Sequence, residues 1–150
     1  MSSRILRYSV GNEFNPGNPW GRSELLLAPD GTVQVEHHFS RVRTVGAWQG
    51  RVDAAAFDAL WRALGQAGFP DAPTGPLAPG ATLRQLTVED AGTAQVATVD
   101  WHKASTLPGY AEAFDILDAI VRQLSGDTVP YPTKQGPIVA DITPMPPPPA

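Results

Sequence analysis

The stretch from residue 108 to residue 126 is the clearest amphipathic helix in the chain, and it constrains what the other segments must form. Its large apolar residues recur at intervals of four, three, four and three positions, the spacing of one helix face: Tyr110, Phe114, Leu117, Val121 and Leu124. Such a helix is about 24 Å long, enough to cross a sheet of four to six strands. The pattern therefore predicts a helix that covers an apolar sheet face.

The polar side of this helix carries Glu112, Asp115 and Asp118. Asp118 and Arg122 are four positions apart, so we expect them to pair on the solvent-exposed side. Acidic residues toward the N-terminal half are favoured by the helix dipole. An acidic docking face for a basic partner is the alternative interpretation.

Six segments with alternating apolar and polar residues predict β-strands, and one further segment predicts a helix. The second and third strands are joined by Pro29-Asp30-Gly31 and the last two by Glu89-Asp90-Ala91-Gly92, both typical of tight turns. The additional helix has an apolar stripe built around Phe57, Leu60, Trp61 and Leu64. The predicted strands span 4–10, 23–28, 32–41, 44–52, 82–88 and 93–101, and the additional helix spans 54–67.

The order β-β-β-β-α-β-β-α has short strand-to-strand links, so the linked strands should pair antiparallel. Each helix has a single apolar stripe, so we expect both helices on the same face of the sheet. We therefore predict one α+β domain over residues 1–126, with an antiparallel sheet of about six strands and two helices on one face. An extended, Pro-rich C-terminal tail is predicted over residues 127–150.

The tail contains a short segment with strand propensity. Residues 128–150 hold eight of the 16 prolines of the chain, which is typical of an extended or disordered segment. Within it, Ile138, Val139 and Ile142 lie in a β-prone stretch that we expect along a sheet edge, either of the same chain or of a neighbouring one. Pairing with a neighbouring chain would produce an oligomer through the tail.

Composition excludes several classes of function. The net charge of −4 argues against a nucleic-acid partner, which selects basic surfaces. The chain has no Cys, so a thiol nucleophile and a thiolate metal site are excluded. Because there is neither a signal-like apolar run nor a membrane-spanning one, we expect no membrane association and a cytoplasmic protein of bacterial type.

The loop over residues 11–21 is rich in Gly, Asn and Pro and also carries two aromatic residues. Aromatic side chains in such a loop are either anchored to the domain or presented to a partner as binding hot spots. The second interpretation makes this loop a candidate partner-binding site, with contacts from Phe14, Asn15, Asn18 and Trp20.

The histidines raise the question of a metal site. Strand alternation places Glu36 and His38 on the polar face of the third strand, and Asp100 and His102 on the polar face of the sixth. If these strands are close, the four side chains converge as a nitrogen and oxygen ligand set of the kind that zinc or iron accepts. The interpretation that we favour is a solvated face with isolated histidines and no bound metal. Glu36 and Asp100 are also the candidates for a paired acid and base.

The chain has no phosphate-binding glycine loop, dinucleotide fingerprint or nucleophile elbow. We therefore expect a small interaction domain that binds a protein partner, as an adaptor, an inhibitor or an immunity-type protein. No cofactor and no catalysis are expected, although enzymatic activity stays open. The alternatives are an enzyme or metal-binding domain that uses the open sheet face, and a subunit of a larger assembly that is tethered by its tail.

Overall fold

One antiparallel sheet organises the fold. The computed structural model describes residues 4–11, 21–39, 45–72, 82–129, 131 and 136–145. Seven strands form the sheet in the spatial order β6-β5-β1-β2-β3-β4-β7, and every pairing is antiparallel. They are β1 (Ile5–Gly11), β2 (Arg22–Leu27), β3 (Thr32–His38), β4 (Val45–Val52), β5 (Leu83–Asp90), β6 (Thr93–Asp100) and β7 (Val139–Pro144).

Helices cover one face of this sheet. They are α1 (Ala54–Ala67), the short α2 (Trp101–Ala104) and α3 (Tyr110–Leu124). One continuous apolar core joins the inward residues of the strands to the buried sides of α1 and α3. The predicted α+β class, the antiparallel pairing and the position of the two long helices on one face are therefore confirmed.

The apolar stripe of α3 is buried as its spacing predicts. Tyr110, Phe114, Leu117, Val121 and Leu124 are each 2 % exposed or less. Burial extends well beyond this stripe, because Ile116, Ala119 and Ile120 on other sides of the helix are also buried. The helix packs against the sheet and also against α1, so more than one of its faces is covered.

The sheet has seven strands and not about six, because the β-prone stretch of the Pro-rich tail, expected along a sheet edge, adds a strand. Residues 139–144 pair antiparallel with β4, with an irregularity between Gln49 and Arg51. The side chain of Gln123 on α3 holds the start of this strand: its Oε1 accepts from the N–H groups of Ile138 and Val139 at 2.8 and 3.0 Å. The tail segment thus pairs in cis and covers the edge that β4 would otherwise expose. Residues 146–150 lie outside the described residues, so an extended tail there stays a prediction.

The start of α3 differs from the prediction. The helix begins at Tyr110, so Pro108 lies before the N-cap residue and not in the first turn. Thr106, which precedes the helix, donates its hydroxyl hydrogen to the carbonyl of Lys103 at 2.7 Å and so closes the turn after α2. Glu112 accepts a hydrogen bond from the N–H of Gly109 at 2.6 Å. Gly109 has a φ of 82°, which a proline-led helical turn does not accommodate.

Gly109 also marks the closest approach between α3 and the end of α1. A Cβ at this position would clash with the backbone N of Ala67 and lie 2.6 Å from its Cα and 2.7 Å from the carbonyl oxygen of Ala63. These contacts involve helix backbone, which cannot rotate away as a side chain can. The position therefore requires glycine, because there is no room for a Cβ and because the φ is positive.

No helix in the described part of the chain combines the length and the apolar character that crossing a membrane requires.

We predict that Gly109→Ala destabilises the fold far more than Gly92→Ala. Gly92 has nearly the same φ, 83°, but a Cβ there would meet nothing within 4 Å. Gly92→Ala should therefore cost only the backbone term, about 1–2 kcal/mol. Gly109→Ala should cost at least about 3 kcal/mol, because the α1–α3 contact must open as well. Urea denaturation measures both free energies of unfolding, and equal losses would contradict the close-packing argument.

Candidate functional site

The sheet face opposite the helices, called here the open face, is formed by alternate residues of each strand. The register aligns them in rows across the sheet. One row runs through Gln85, Ser9, Glu24, Glu36 and Ala47, from β5 to β4. The neighbouring row runs through Thr87, Arg7, Leu26, Gln34 and Gln49. The chemistry that this face presents to solvent is therefore set by strand register.

These two rows line a concave surface, called here the open-face cavity. Its volume is about 500 Å³. It spans β5, β1, β2, β3 and β4, and Met145 borders it beside β4, held by a hydrogen bond of 2.8 Å from its N–H to the carbonyl of Ala47. The open-face side chains that line it are Arg7, Ser9, Glu24, Leu26, Gln34, Glu36, Ala47, Gln85, Thr87 and Met145.

The middle of the cavity presents neutral polar groups without protein partners. Among the described residues, no side-chain hydrogen bond engages the amides of Gln34 and Gln85 or the hydroxyls of Ser9 and Thr87. Arg7 is committed, because its Nε lies 2.9 Å from Oε1 of Glu89. The cavity thus offers donors and acceptors that are free to bind an incoming group.

A second feature lies beside this region, on β2 and β3. Glu24, Glu36 and His38, called here the acid–imidazole cluster, offer ligand atoms that all lie within 4.8 Å of one another. The Nε2 atom of His38 is 2.7 Å from Oε1 of Glu36. A guanidinium nitrogen of Arg22 is 3.3 Å from Oε1 of Glu24. The two glutamates are directly opposed across the strand pair.

The structure separates the four candidate metal ligands into two distant groups. Glu36 and His38 come together on β3, but β2, β1 and β5 separate β3 from β6, which carries Asp100. Four inter-strand spacings correspond to about 19 Å, too far for a shared ion. The sixth strand ends at Asp100, so His102 lies in α2 and not on a strand. The same separation keeps Glu36 and Asp100 from acting as a paired acid and base.

Glu24 takes the place of the two distant residues and was missed from the sequence. The signal for it was present in the turn at Pro29-Asp30-Gly31. Because the hairpin is symmetric about Asp30, position 24 opposes position 36. The Asp30 side chain accepts from the N–H of Thr32 at 2.9 Å and closes this turn. Pairing β2 with β3 around this turn identifies the glutamate pair without further information.

The predicted partner-binding residues fall into two groups. The first group lies between the described residues Gly11 and Gly21 and is outside the described part of the chain: Phe14, Asn15, Asn18 and Trp20. In the tail, Ile138 and Val139 are half-buried and pack against the core. Ile142 is 44 % exposed on the edge strand β7. Of these three tail residues, Ile142 is the one most accessible to a partner.

The covered face of the sheet contains a polar group that the sequence did not reveal. Asp118 is buried, and its carboxylate accepts hydrogen bonds from Tyr8 at 2.9 Å and from Nη1 of Arg84 at 2.9 and 3.1 Å. Arg84 also donates to the hydroxyl of Tyr8. The expected surface pair of Asp118 with Arg122 is therefore wrong, and Arg122 instead pairs with Asp127 at 2.7 Å.

This buried cluster ties α3 to β1 and β5. The Arg84 guanidinium lies over the Trp101 ring at 3.9 Å and over the Phe114 ring at 4.9 Å, so aromatic rings surround the ion pair. Burial raises the pKa of Asp118 to about 6, although Arg84 and Tyr8 act in the opposite direction. The cluster is closed to solvent, so its contribution is to position α3 and not to bind a ligand.

Ser23, His37 and Tyr131 form a second buried polar group. The Ser23 hydroxyl lies 2.6 Å from Nδ1 of His37 and 3.0 Å from the Tyr131 hydroxyl. A serine beside a histidine is the pairing found in acyl-transfer enzymes. Here all three side chains are 1 % exposed or less, so a substrate cannot reach the serine. The group joins residue 131 to β2 and β3, which is a structural role.

A scan against models of known protein families finds no family that matches this chain, and a search of curated proteins finds no match either.

We predict that the stability of the wild-type chain relative to the Asp118→Asn variant falls as the pH rises from about 4 to 7. An aspartate whose folded-state pKa is about 6, above its ordinary value of 3.8, favours folding below pH 4 and loses that contribution as the pH rises through 6. The change should be at most about 3 kcal/mol, since one pKa unit corresponds to about 1.4 kcal/mol.

Urea denaturation of both proteins at several pH values measures this difference. Asparagine keeps the size of the side chain and removes the titration, so the other carboxylates cancel in the comparison. A relative stability that instead increases with pH would show that Arg84 outweighs burial and lowers the pKa of Asp118.

Proposed function

We propose that this chain is a non-catalytic binding domain that receives an extended segment of a protein partner in the open-face cavity. The observation that carries the proposal is the set of unengaged amides and hydroxyls of Gln34, Gln85, Ser9 and Thr87 on a concave, solvent-facing surface. If these groups were hydrogen-bonded to one another, they would not be available to bind a partner. Polypeptide backbone supplies the complementary donors and acceptors at regular intervals.

The dimensions of the cavity favour a polypeptide segment. Five strands are separated by four spacings of about 4.8 Å, so the cavity is about 19 Å long across the sheet. An extended chain rises about 3.3 Å per residue, so five or six residues fit along it. A segment of this length presents more hydrogen-bonding groups than a small metabolite does, which matches the number of polar side chains in the cavity.

The chemical character of the cavity also suits a peptide. Leu26, Ala47 and Met145 place apolar surface between the polar groups, so alternate side chains of a bound segment have an apolar contact. Glu24 and Glu36 add negative charge toward one side of the cavity. We therefore infer a partner segment that is mostly neutral, with a basic residue near the glutamates.

Two segments outside the cavity would enlarge the contact. The loop over residues 12–20 connects β1 to β2, whose ends next to the loop, Gly11 and Arg22, are cross-strand neighbours. Aromatic contacts from Phe14 and Trp20 in this loop, with Asn15 and Asn18, would extend the interface beyond the cavity. Ile142 on β7 provides a further exposed apolar contact at the sheet edge.

This proposal predicts that peptides selected against the chain bind in the open-face cavity. A displayed library of seven-residue peptides, selected on the wild-type protein, should yield binders that shift the side-chain amide NMR signals of Gln34 and Gln85. Leu26→Glu should weaken these binders at least about ten-fold, because it places a charge on the apolar floor of the cavity.

Ala140→Glu is the matched control for this experiment. Ala140 is exposed on the edge strand β7, pairs with Arg51 in the register of β4 and β7, and does not line the cavity. Binding should be unchanged in this variant, while circular dichroism reports that both variants fold. The proposal fails if no peptide is enriched, or if the selected peptides bind Leu26→Glu as tightly as they bind the wild type.

A further inference from the structure

We propose that the acid–imidazole cluster of Glu24, Glu36 and His38 binds a divalent transition-metal cation such as Zn²⁺. The inference does not depend on the proposed protein binding: Glu24 and Glu36 also line the open-face cavity, but the argument rests on the identity and spacing of the donor atoms and not on a bound segment. Two carboxylates and one imidazole form a nitrogen and oxygen donor set that suits zinc and neighbouring first-row cations.

The positions of the ligands are set by rigid, paired strands. Glu24 and Glu36 oppose each other directly across β2 and β3, and His38 lies two residues further along β3 on the same face. Zinc binds oxygen and nitrogen ligands at about 2.0–2.2 Å, so ligand atoms around a tetrahedral ion are about 3.4 Å apart. The three ligand atoms lie within 4.8 Å of one another, so side-chain rotations would have to lengthen the 2.7 Å distance between His38 and Glu36 slightly and bring Glu24 closer.

The opposed glutamates are a cost to the sheet that a cation would remove. Like charges directly opposite each other on paired strands are destabilising. Arg22 lies close to Glu24, and His38 lies close to Glu36, so each carboxylate has one cationic or hydrogen-bonding neighbour. A divalent cation placed between the two carboxylates would neutralise both.

The cluster is accessible and leaves room for further ligands. The side chains of Glu24, Glu36 and His38 are 47 %, 28 % and 25 % exposed, so an ion can reach them without opening the fold. Glu24 and Glu36 also line the open-face cavity. Three protein ligands leave a zinc coordination position free, which water or a side chain of a bound segment can occupy.

Isothermal titration of the untagged full-length chain with zinc chloride tests the proposal. We expect one equivalent of Zn²⁺ to bind saturably, and lowering the pH should weaken the binding, since protons compete for the imidazole nitrogen. Glu36→Gln and His38→Ala should each reduce the affinity at least about ten-fold, because each removes a direct ligand.

Asp100→Asn and His102→Ala are the matched controls. Each removes a residue of the same type from a position that the fold separates from the cluster, so neither should change the affinity. Thermal denaturation without metal verifies that every variant folds. The proposal is overturned if the wild type shows no saturable binding of one equivalent of Zn²⁺ or if the cluster variants keep wild-type affinity. It is also overturned if the control variants lose as much zinc affinity as the cluster variants lose. Because the titration contains zinc alone, its result is separate from that of the peptide experiment.

Discussion

The one-sided burial of the sheet is the constraint on which the rest of the structure depends. The core lies between the inward residues of the strands and the two long helices, and each strand alternates between this core and the open face. A shift of one residue in any strand would exchange its two faces. The same register that buries Leu25 and Val35 therefore brings Leu26 and Gln34 to the cavity and sets Glu24 opposite Glu36.

The buried pair of Asp118 and Arg84 shows how strongly the position of α3 is specified. Removing charges from water is costly, and a buried ion pair often contributes little net stability. Here the carboxylate is satisfied by three hydrogen bonds from Tyr8 and Arg84, while Trp101 and Phe114 enclose the guanidinium. Because these donors lie on β1 and β5, they fix the position of α3 relative to these two strands, and any sliding of the helix would leave charges unpaired. The function proposed on the open face depends on this rigid support, since the cavity is built from strands and not from loops.

Local pattern predicted much of the fold, and long-range packing explains where the prediction failed. The stripe of α3, the β2–β3 hairpin and the placement of Glu36 and His38 on the open face follow from periodicity and turn residues. The polar side of α3 was misassigned at Asp118, because the sequence does not show that Arg84 lies above it. The sequence left open whether Asp100 and His102 lie near His38, and the β5–β6 hairpin docks on β1, which leaves three strands between β6 and β3. Hairpin formation is a local event, whereas the choice of docking edge depends on contacts between distant segments.

By itself, the sequence determined the helix and strand periods, the antiparallel hairpins and the α+β class, because these depend on residues that are neighbours along the chain. The tertiary structure alone decided the order of the strands, the use of residues 139–144 as the seventh strand and the burial of Asp118. It also decided that Asp100 and His102 lie far from Glu36 and His38. Each of these outcomes requires knowing which sheet edge or helix side a distant segment covers, and that is settled by packing and not by local pattern.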